Sequence, residues 1–126
     1  MNQIFHAVLP VKPVTWKRTR GSGHRYMPKE LREYYHELYA EMVSLGMNPV
    51  ANNAELKLEI KFYNADGYWR DTSNLLKAFE DAGQPSKWTK KAGYRDFWDD
   101  KQFSKITVER IMKAYADQIT VTIWAI

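Results

Sequence analysis

The plainest pattern in the chain is an alternation. Leu56, Leu58, Ile60 and Phe62 interleave with Glu55, Lys57, Glu59 and Lys61, which predicts a strand with one buried and one wet face. A shorter apolar stretch at residues 4–9 reads as a first strand, stopped by Pro10 and Pro13. Between these two strands the period changes. Leu31, Tyr35, Leu38, Met42 and Leu45 recur at spacings of three and four, so a helix with one apolar face is expected. Pro28 suits its first turn, Glu30 and Glu33 favour the positive end of its dipole, and Gly46 stops it. A second helix is expected from about 72 to 82, burying Leu75, Leu76, Phe79 and Ala82 and ending at Gly83. Residues 105–111 and 118–126 alternate again, with Ile106 and Val108 in one run and Ile119, Val121 and Ile123 in the other, and read as a terminal hairpin. Residues 14–27, with Gly21 and Gly23, and the stretch from 84 to about Trp98 read as loops. The order β-α-β-α-β-β predicts a single α+β domain over residues 1–126, a mixed sheet with two helices packed on it.

Composition narrows the class. At 126 residues and 44% apolar content the chain is expected to form one compact core, not a disordered polymer. No apolar run reaches the roughly 18 residues that span a bilayer, and no signal-peptide pattern is visible, so a cytoplasmic protein with no membrane partner is expected. Cysteine is absent, which excludes disulfides and thiolate metal sites and leaves carboxylates, histidines and water as metal ligands. Of the histidines, His6, His24 and His36 share no ligand-like spacing.

The net charge of +4 says less than its distribution. Lys12, Lys17, Arg18, Arg20, Arg25 and Lys29 fall in an acid-free stretch from Val11 to Lys29, and Lys87, Lys90, Lys91 and Arg95 in another from Gln84 to Arg95. Basic loops that also carry aromatics suit a phosphate backbone, although two solvated loops would look the same.

Two segments hold candidate chemistry: Arg70-Asp71-Thr72-Ser73-Asn74-Leu75-Leu76-Lys77, running on to Glu80-Asp81, and Trp98-Asp99-Asp100-Lys101-Gln102. On a helix, Asn74, Lys77 and Asp81 share a face, beside Ser73 and Glu80. Hard cations such as Mg²⁺ take oxygen ligands, often one or two carboxylates plus water and substrate phosphate, and acids at two strand ends of one sheet could supply them. The plainer readings are a helix cap at Asp71, Thr72 or Ser73, a surface pair of Lys77 with Asp81, and a turn at Asp99-Asp100.

These runs resemble the RusA family of Holliday junction resolvases, in which an Asp-x-Asp-Asn-x-x-Lys run and a following Asp-Ala precede an Asp-Asp-x-Gln run that leads into a strand. The matching residues are Asp71, Asn74, Lys77, Asp81, Ala82, Asp99, Asp100 and Gln102. Identity concentrates in residues 70–82 and 98–103, and the element order matches over about residues 4–124. Lys17-Arg18-Thr19-Arg20 also looks like the family's basic run after the first strand. Two departures stand out: Ser73 replaces the second aspartate, and the segment from Gly83 to Phe97 is longer than its counterpart.

The resemblance implies a homodimeric, phage- or prophage-type endonuclease that uses Mg²⁺, or Mn²⁺, to make paired cuts in four-way and other branched DNA. It implies Asp71 and Asp100 as leading metal ligands, Asp99 as a further one, and Lys77 beside the scissile phosphate; Glu80 is the expected substitute for the carboxylate missing at Ser73. Lys17, Arg18, Arg20, Arg25, Arg70, Asn74, Lys90 and Lys91 would bind DNA, and Trp16, Tyr26, Trp69 and Trp98 could stack on unpaired bases; the plainer reading of each ring, favoured for Trp69 and Trp98, is core or surface packing. The alternative expectation is a branched-DNA-binding protein of the same fold whose metal site was lost with that aspartate.

Overall fold

The computed structural model describes residues 1–17 and 27–126. Its elements run β1 (Asn2–Leu9), α1 (Lys29–Ser44), β2 (Leu56–Tyr63), α2 (Thr72–Ala82), β3 (Phe103–Ile111) and β4 (Gln118–Ala125), with short 3₁₀ turns at Pro85–Lys87 and Asp100–Gln102. The fold is the expected α+β arrangement, a four-stranded mixed sheet carrying two helices. None of the described helices is long and apolar enough to cross a membrane.

The strands do alternate as the sequence predicts. Phe5, Ala7 and Leu9 of β1, all four apolar positions of β2, and Ile119, Val121 and Ile123 of β4 form one buried face with the inner sides of α1 and α2. The opposite face is polar, with Glu59, Lys61, Thr107, Glu109, Thr120 and Thr122 around a shallow depression of about 370 Å³. α1 ends as Gly46 allows. Gly46 takes φ +92°, and the amides of Gly46 and Met47 turn back to donate to the carbonyls of Val43 and Met42, closing a Schellman motif.

The pairing of the last two strands differs from the expected hairpin. The sheet order is β1-β4-β2-β3: β4 lies between β1 and β2, antiparallel to both, and β3 pairs parallel with the far side of β2. Residues 112–117 therefore step across the end of β2 instead of turning tightly. One strand position is about 4.8 Å, so a two-position step is within easy reach of six residues. Burial explains the choice. β4 presents Ile119, Val121 and Ile123 to the core and belongs in the centre, whereas β3 carries Lys105, Glu109 and Arg110 and leaves Ile106 39% exposed, which suits an edge.

The segment after α2 is not a free loop. Tyr94 and Phe97 stack on opposite sides of the Tyr39 ring, at centroid distances of 4.4 and 4.8 Å, and the indole of Trp88 donates to the carbonyl of Asp81. The Ser86 amide and hydroxyl both donate to Asp96, tying the two limbs together. Trp98 is core: its ring stacks on Phe79 and its indole N–H donates to the carbonyl of Glu80. Of the two expectations for Trp98, packing holds and stacking on DNA bases does not, because a largely apolar ring was drawn into the interior where its single N–H found a helix-terminal carbonyl.

Gly83 lies against that ring, and a Cβ there would overlap it. Gly83→Ala is therefore expected to lower the unfolding free energy by about 3 kcal/mol, the upper end of ordinary overpacking costs. Urea unfolding that shows no loss would mean that the Trp98 ring can shift freely.

Candidate functional site

Two clusters of polar side chains form at the two ends of α2, and the parallel β2/β3 pair sets their distance. Because β3 starts beside the start of β2, α2 has to run back along the sheet between them. Its first residues stand near the end of β2; its last stand near the start of β3. Arg110, near the end of β3, donates to the carbonyl of Arg70, while Asp100, just before β3, donates its amide to Gln84, just after α2. At 1.5 Å per residue, Asp71 and Asp81 are about 15 Å apart along the helix axis.

At the first end, Asp71 is the N-cap of α2, its carboxylate accepting from the amide of Ser73 at 2.8 Å. Arg70 is committed to Asp66 through two hydrogen bonds of 2.7 and 3.0 Å, with Lys12 3.5 Å from the same carboxylate. The Arg70 guanidinium holds the Asp66 carboxyl well below the usual carboxylate range. Asn74 is half-buried, and its carbonyl accepts from the amide of Trp16. Lys77, exposed one turn further on, sets its ammonium 4.8 Å above the Trp16 ring. Lys17 reaches Glu30 at 3.8 Å. Arg18, Arg20 and Arg25, together with His24 and Tyr26, lie outside the described residues.

At the other end, two carboxylates share one ammonium, with a third carboxyl nearby. Lys87 Nζ stands 3.4 Å from Asp81 Oδ1 and 3.3 Å from Asp100 Oδ2. Asp81 is only 9% exposed, and it lies beside Tyr35, whose hydroxyl pKa is pushed up by burial and then by the Asp81 charge. Glu80 completes the group. Burial first, and then the charges of Asp100 and Asp81, raise its pKa from 4.5 to about 7, against the opposing pull of Lys87 and Lys77. Asp99 turns outward and caps the following 3₁₀ turn, in a reciprocal box with Gln102; the Lys101 amide lowers its pKa. Lys90 and Lys91 are exposed on the folded-down segment, Lys91 sitting over the Tyr94 ring at 5.2 Å.

The expected metal set is therefore divided. Asp100 and Glu80 come together with Lys77 nearby, but Asp71 does not join them. Strand ends were expected to supply acids to one place; the parallel pairing sends them to opposite ends of the sheet instead. Glu80 cannot stand in for the carboxylate missing at Ser73 beside Asp71, because seven residues along the same helical stripe are about 10 Å. Two residues at this end were not expected as metal-site residues: Asp81, expected on the polar face of α2, and Lys87, expected only as one cation of a basic loop. Asp81 had a signal, a carboxylate flanked by the buried Phe79 and Ala82. Lys87 had none, since only the folding back of its segment brings it there.

No protein-family model matches this chain, and no curated protein does either.

The donor set itself can be tested against a metal. Among the described residues no three carboxylate or imidazole side chains converge on a common point. Mg²⁺, however, keeps several waters and takes only one or two carboxylates directly. Asp81 and Asp100 share a monovalent ammonium, and two hard carboxylates are the kind of donor such an ion takes.

The Glu80 shift has a consequence for stability. Between pH 4.5 and 7 the unfolded chain has released a proton that folded Glu80 retains, so this residue removes stability as pH rises through that window and its full penalty is present above pH 7. With screening at this part-exposed carboxyl, the penalty is about 1–2 kcal/mol. In a chelating buffer, Glu80→Gln should unfold at higher urea than wild type at pH 8 and at about the same urea near pH 4.5. A gain that does not change with pH would show that Glu80 ionises normally.

Proposed function

We infer that the protein is a divalent-cation-dependent endonuclease acting on branched DNA, with its hydrolytic centre at the C-terminal end of α2. The observation that carries this reading is the shared ammonium: two carboxylates from separate elements, one of them nine-tenths buried, hold a single positive charge between them, with a third carboxyl alongside. Such a surplus of negative charge suits a small dication better than a lysine. The likeness to resolvases in residues 70–82 and 98–103 supplies the substrate class, and the basic segments supply affinity for phosphates that does not depend on sequence.

Asp81 and Asp100 would hold the ion directly and Glu80 through water. A bound Mg²⁺ supplies an activated water and neutralises charge developing on the phosphate. The rest falls to the chain. Lys77, one turn before Asp81 on the same face, offers a point charge for a phosphate oxygen. Lys87, relieved of its carboxylates, provides a second cation. Lys90 and Lys91 extend the positive surface, and Asn74 adds an amide half a helix away. Asp71 serves as a cap. Paired cutting of a nearly two-fold substrate calls for two such sites, hence a homodimer of about twice 14.9 kDa.

A second reading has an observation in its favour. Lys87 already partly neutralises the cluster and Asp71 already caps the helix, so the chain would also serve as a branched-DNA-binding protein without catalysis. It predicts retention of a labelled four-way junction with no incision under any divalent ion.

Incubation of that junction with Mg²⁺ or with a chelator separates the readings. The endonuclease reading expects incision only with Mg²⁺, and a fall of at least about 100-fold in Asp81→Asn and Asp100→Asn with junction binding retained. Asp71→Asn, which keeps a capping side chain, should cut within about threefold of wild type. Loss of cutting in Asp71→Asn alone would move the ion to the other end of the helix. Removing the internal cation gives a readout apart from cleavage: Lys87→Met should bind Mn²⁺ roughly tenfold more tightly, as followed by the free-ion paramagnetic signal. Unchanged affinity would mean that the ion binds elsewhere.

A further inference from the structure

At the end of the domain away from the carboxylates, large rings stand in water. Tyr68 is 74% exposed, Trp69 is 65% exposed, and Tyr115 is fully exposed. They come from two loops that are tied together. The Lys113 amide donates to the carbonyl of Asp66, that of Ala114 to Asn64, and that of Ala65 to the carboxylate of Asp117. The loop that carries Tyr68 and Trp69 is further fixed by the Arg70–Asp66 pair and by a Tyr68 amide bond to Asp66. These rings are therefore held out by a braced backbone and are not the fringe of the core.

The surroundings are cationic. The Arg110 guanidinium lies 4.9 Å from the Trp69 ring while it donates to the carbonyl of Arg70. The stem of Lys113, which holds a positive φ of 55°, packs against Gly67. Neither Arg110 nor Lys113 takes part in an ion pair among the described residues. Lys12 and Arg70 share Asp66, so Arg110 and Lys113 are the cations left beside the rings.

We propose that Tyr68, Trp69 and Tyr115, with Arg110 and Lys113, form a stacking platform for the unpaired bases of single-stranded DNA. Flat rings offer a face to any base, whereas an aliphatic patch would not, and cations beside them meet the phosphates between bases. A surface for a protein partner would be expected to have apolar neighbours at its centre and charge only at its rim; here a guanidinium sits over the Trp69 ring. The choice of nucleic acid as the ligand rests on the branched-DNA reading, but the platform does not need the carboxylate end of α2 to work.

The test uses the full chain in a chelating buffer, so that cutting plays no part. Fluorescein-labelled (dT)12 and a twelve-base-pair duplex are titrated in parallel, with tryptophan emission followed alongside. Wild type should prefer (dT)12, with quenching that disappears in Trp69→Phe while affinity is largely kept. Trp69→Ala, Tyr68→Ala and Tyr115→Ala, all at exposed positions, should each weaken (dT)12 roughly tenfold and leave the duplex unchanged. Equal weakening of both ligands, or none, overturns the platform. So does a fall in sedimentation mass in these variants with (dT)12 binding intact, which would give the rings to a second copy of the chain. Loss of junction cutting in Asp100→Asn with (dT)12 preference retained leaves the platform standing; absence of any cutting in wild type counts against the nuclease reading alone.

Discussion

Because β2 and β3 run parallel, the chain has to travel back along the sheet before it can lay down the second of them. An antiparallel pair closes with a short turn; a parallel pair needs a crossover, here α2 and the folded segment that follows it. Most of the functional geometry depends on this. The end of β2 and the start of β3, near neighbours in an antiparallel pair, face opposite ends of the domain. Residues that leave β2 and residues that enter β3 are separated by the length of a three-turn helix. The rings of Tyr68 and Trp69 go to one end, with Asp71, and Asp81, Asp100 and Lys87 go to the other.

The same crossover makes the long segment after α2 a structural part and not an accessory. It has to cover the C-terminal end of the helix and the start of an edge strand. It does so with aromatic rings, Tyr94 and Phe97 on Tyr39 and Trp98 on Phe79. Two indole N–H groups donate to carbonyls in the last turn of α2, that of Trp98 to Glu80 and that of Trp88 to Asp81, whose carbonyl also accepts from the Gln84 amide. A helix end without basic residues in its last turn is thereby completed from outside. The packing also brings Lys87 over the carboxylates, so the cation is positioned by the same contacts that cap the helix.

Much of the fold was legible because burial writes itself as period. β2 and both helices follow the spacing of apolar residues within a residue or two, and Asp71 and Gly46 mark helix ends by chemistry local to them. Strand pairing was not legible. Period two tells which face of a strand is buried, not which strand lies beside it, so β3 and β4 looked like a hairpin until the difference between a charged edge and an apolar centre was resolved in three dimensions. The site was legible in part for the same reason. Glu80 and Asp100 carry their chemistry in their identity, but their meeting place depends on the crossover. Trp98 shows the converse: an aromatic next to two aspartates in sequence looks like part of a ligand surface, whereas its ring is inside and only the aspartates are outside.

Lys87 decides between the two readings of the carboxylate end through a balance of charge and reach. Glu80 responds to its surroundings as though one ammonium were too little, its proton held by burial and by the two aspartates despite Lys87 and Lys77. A dication would add a unit of charge at the same place and restore Glu80 to its ionised form. To enter, it must displace the ammonium, and the geometry of Lys87 makes that a local event. The backbone at Ser86 is fixed by Asp96 and by Pro85, so the segment need not open. The lysine stem has four flexible carbons and is 40% exposed, so the head group can swing into water without disturbing its own backbone. An arginine paired to both carboxylates in a planar fork would be harder to remove. On the endonuclease reading, Lys87 would fill the site when no metal is bound and yield it when one arrives.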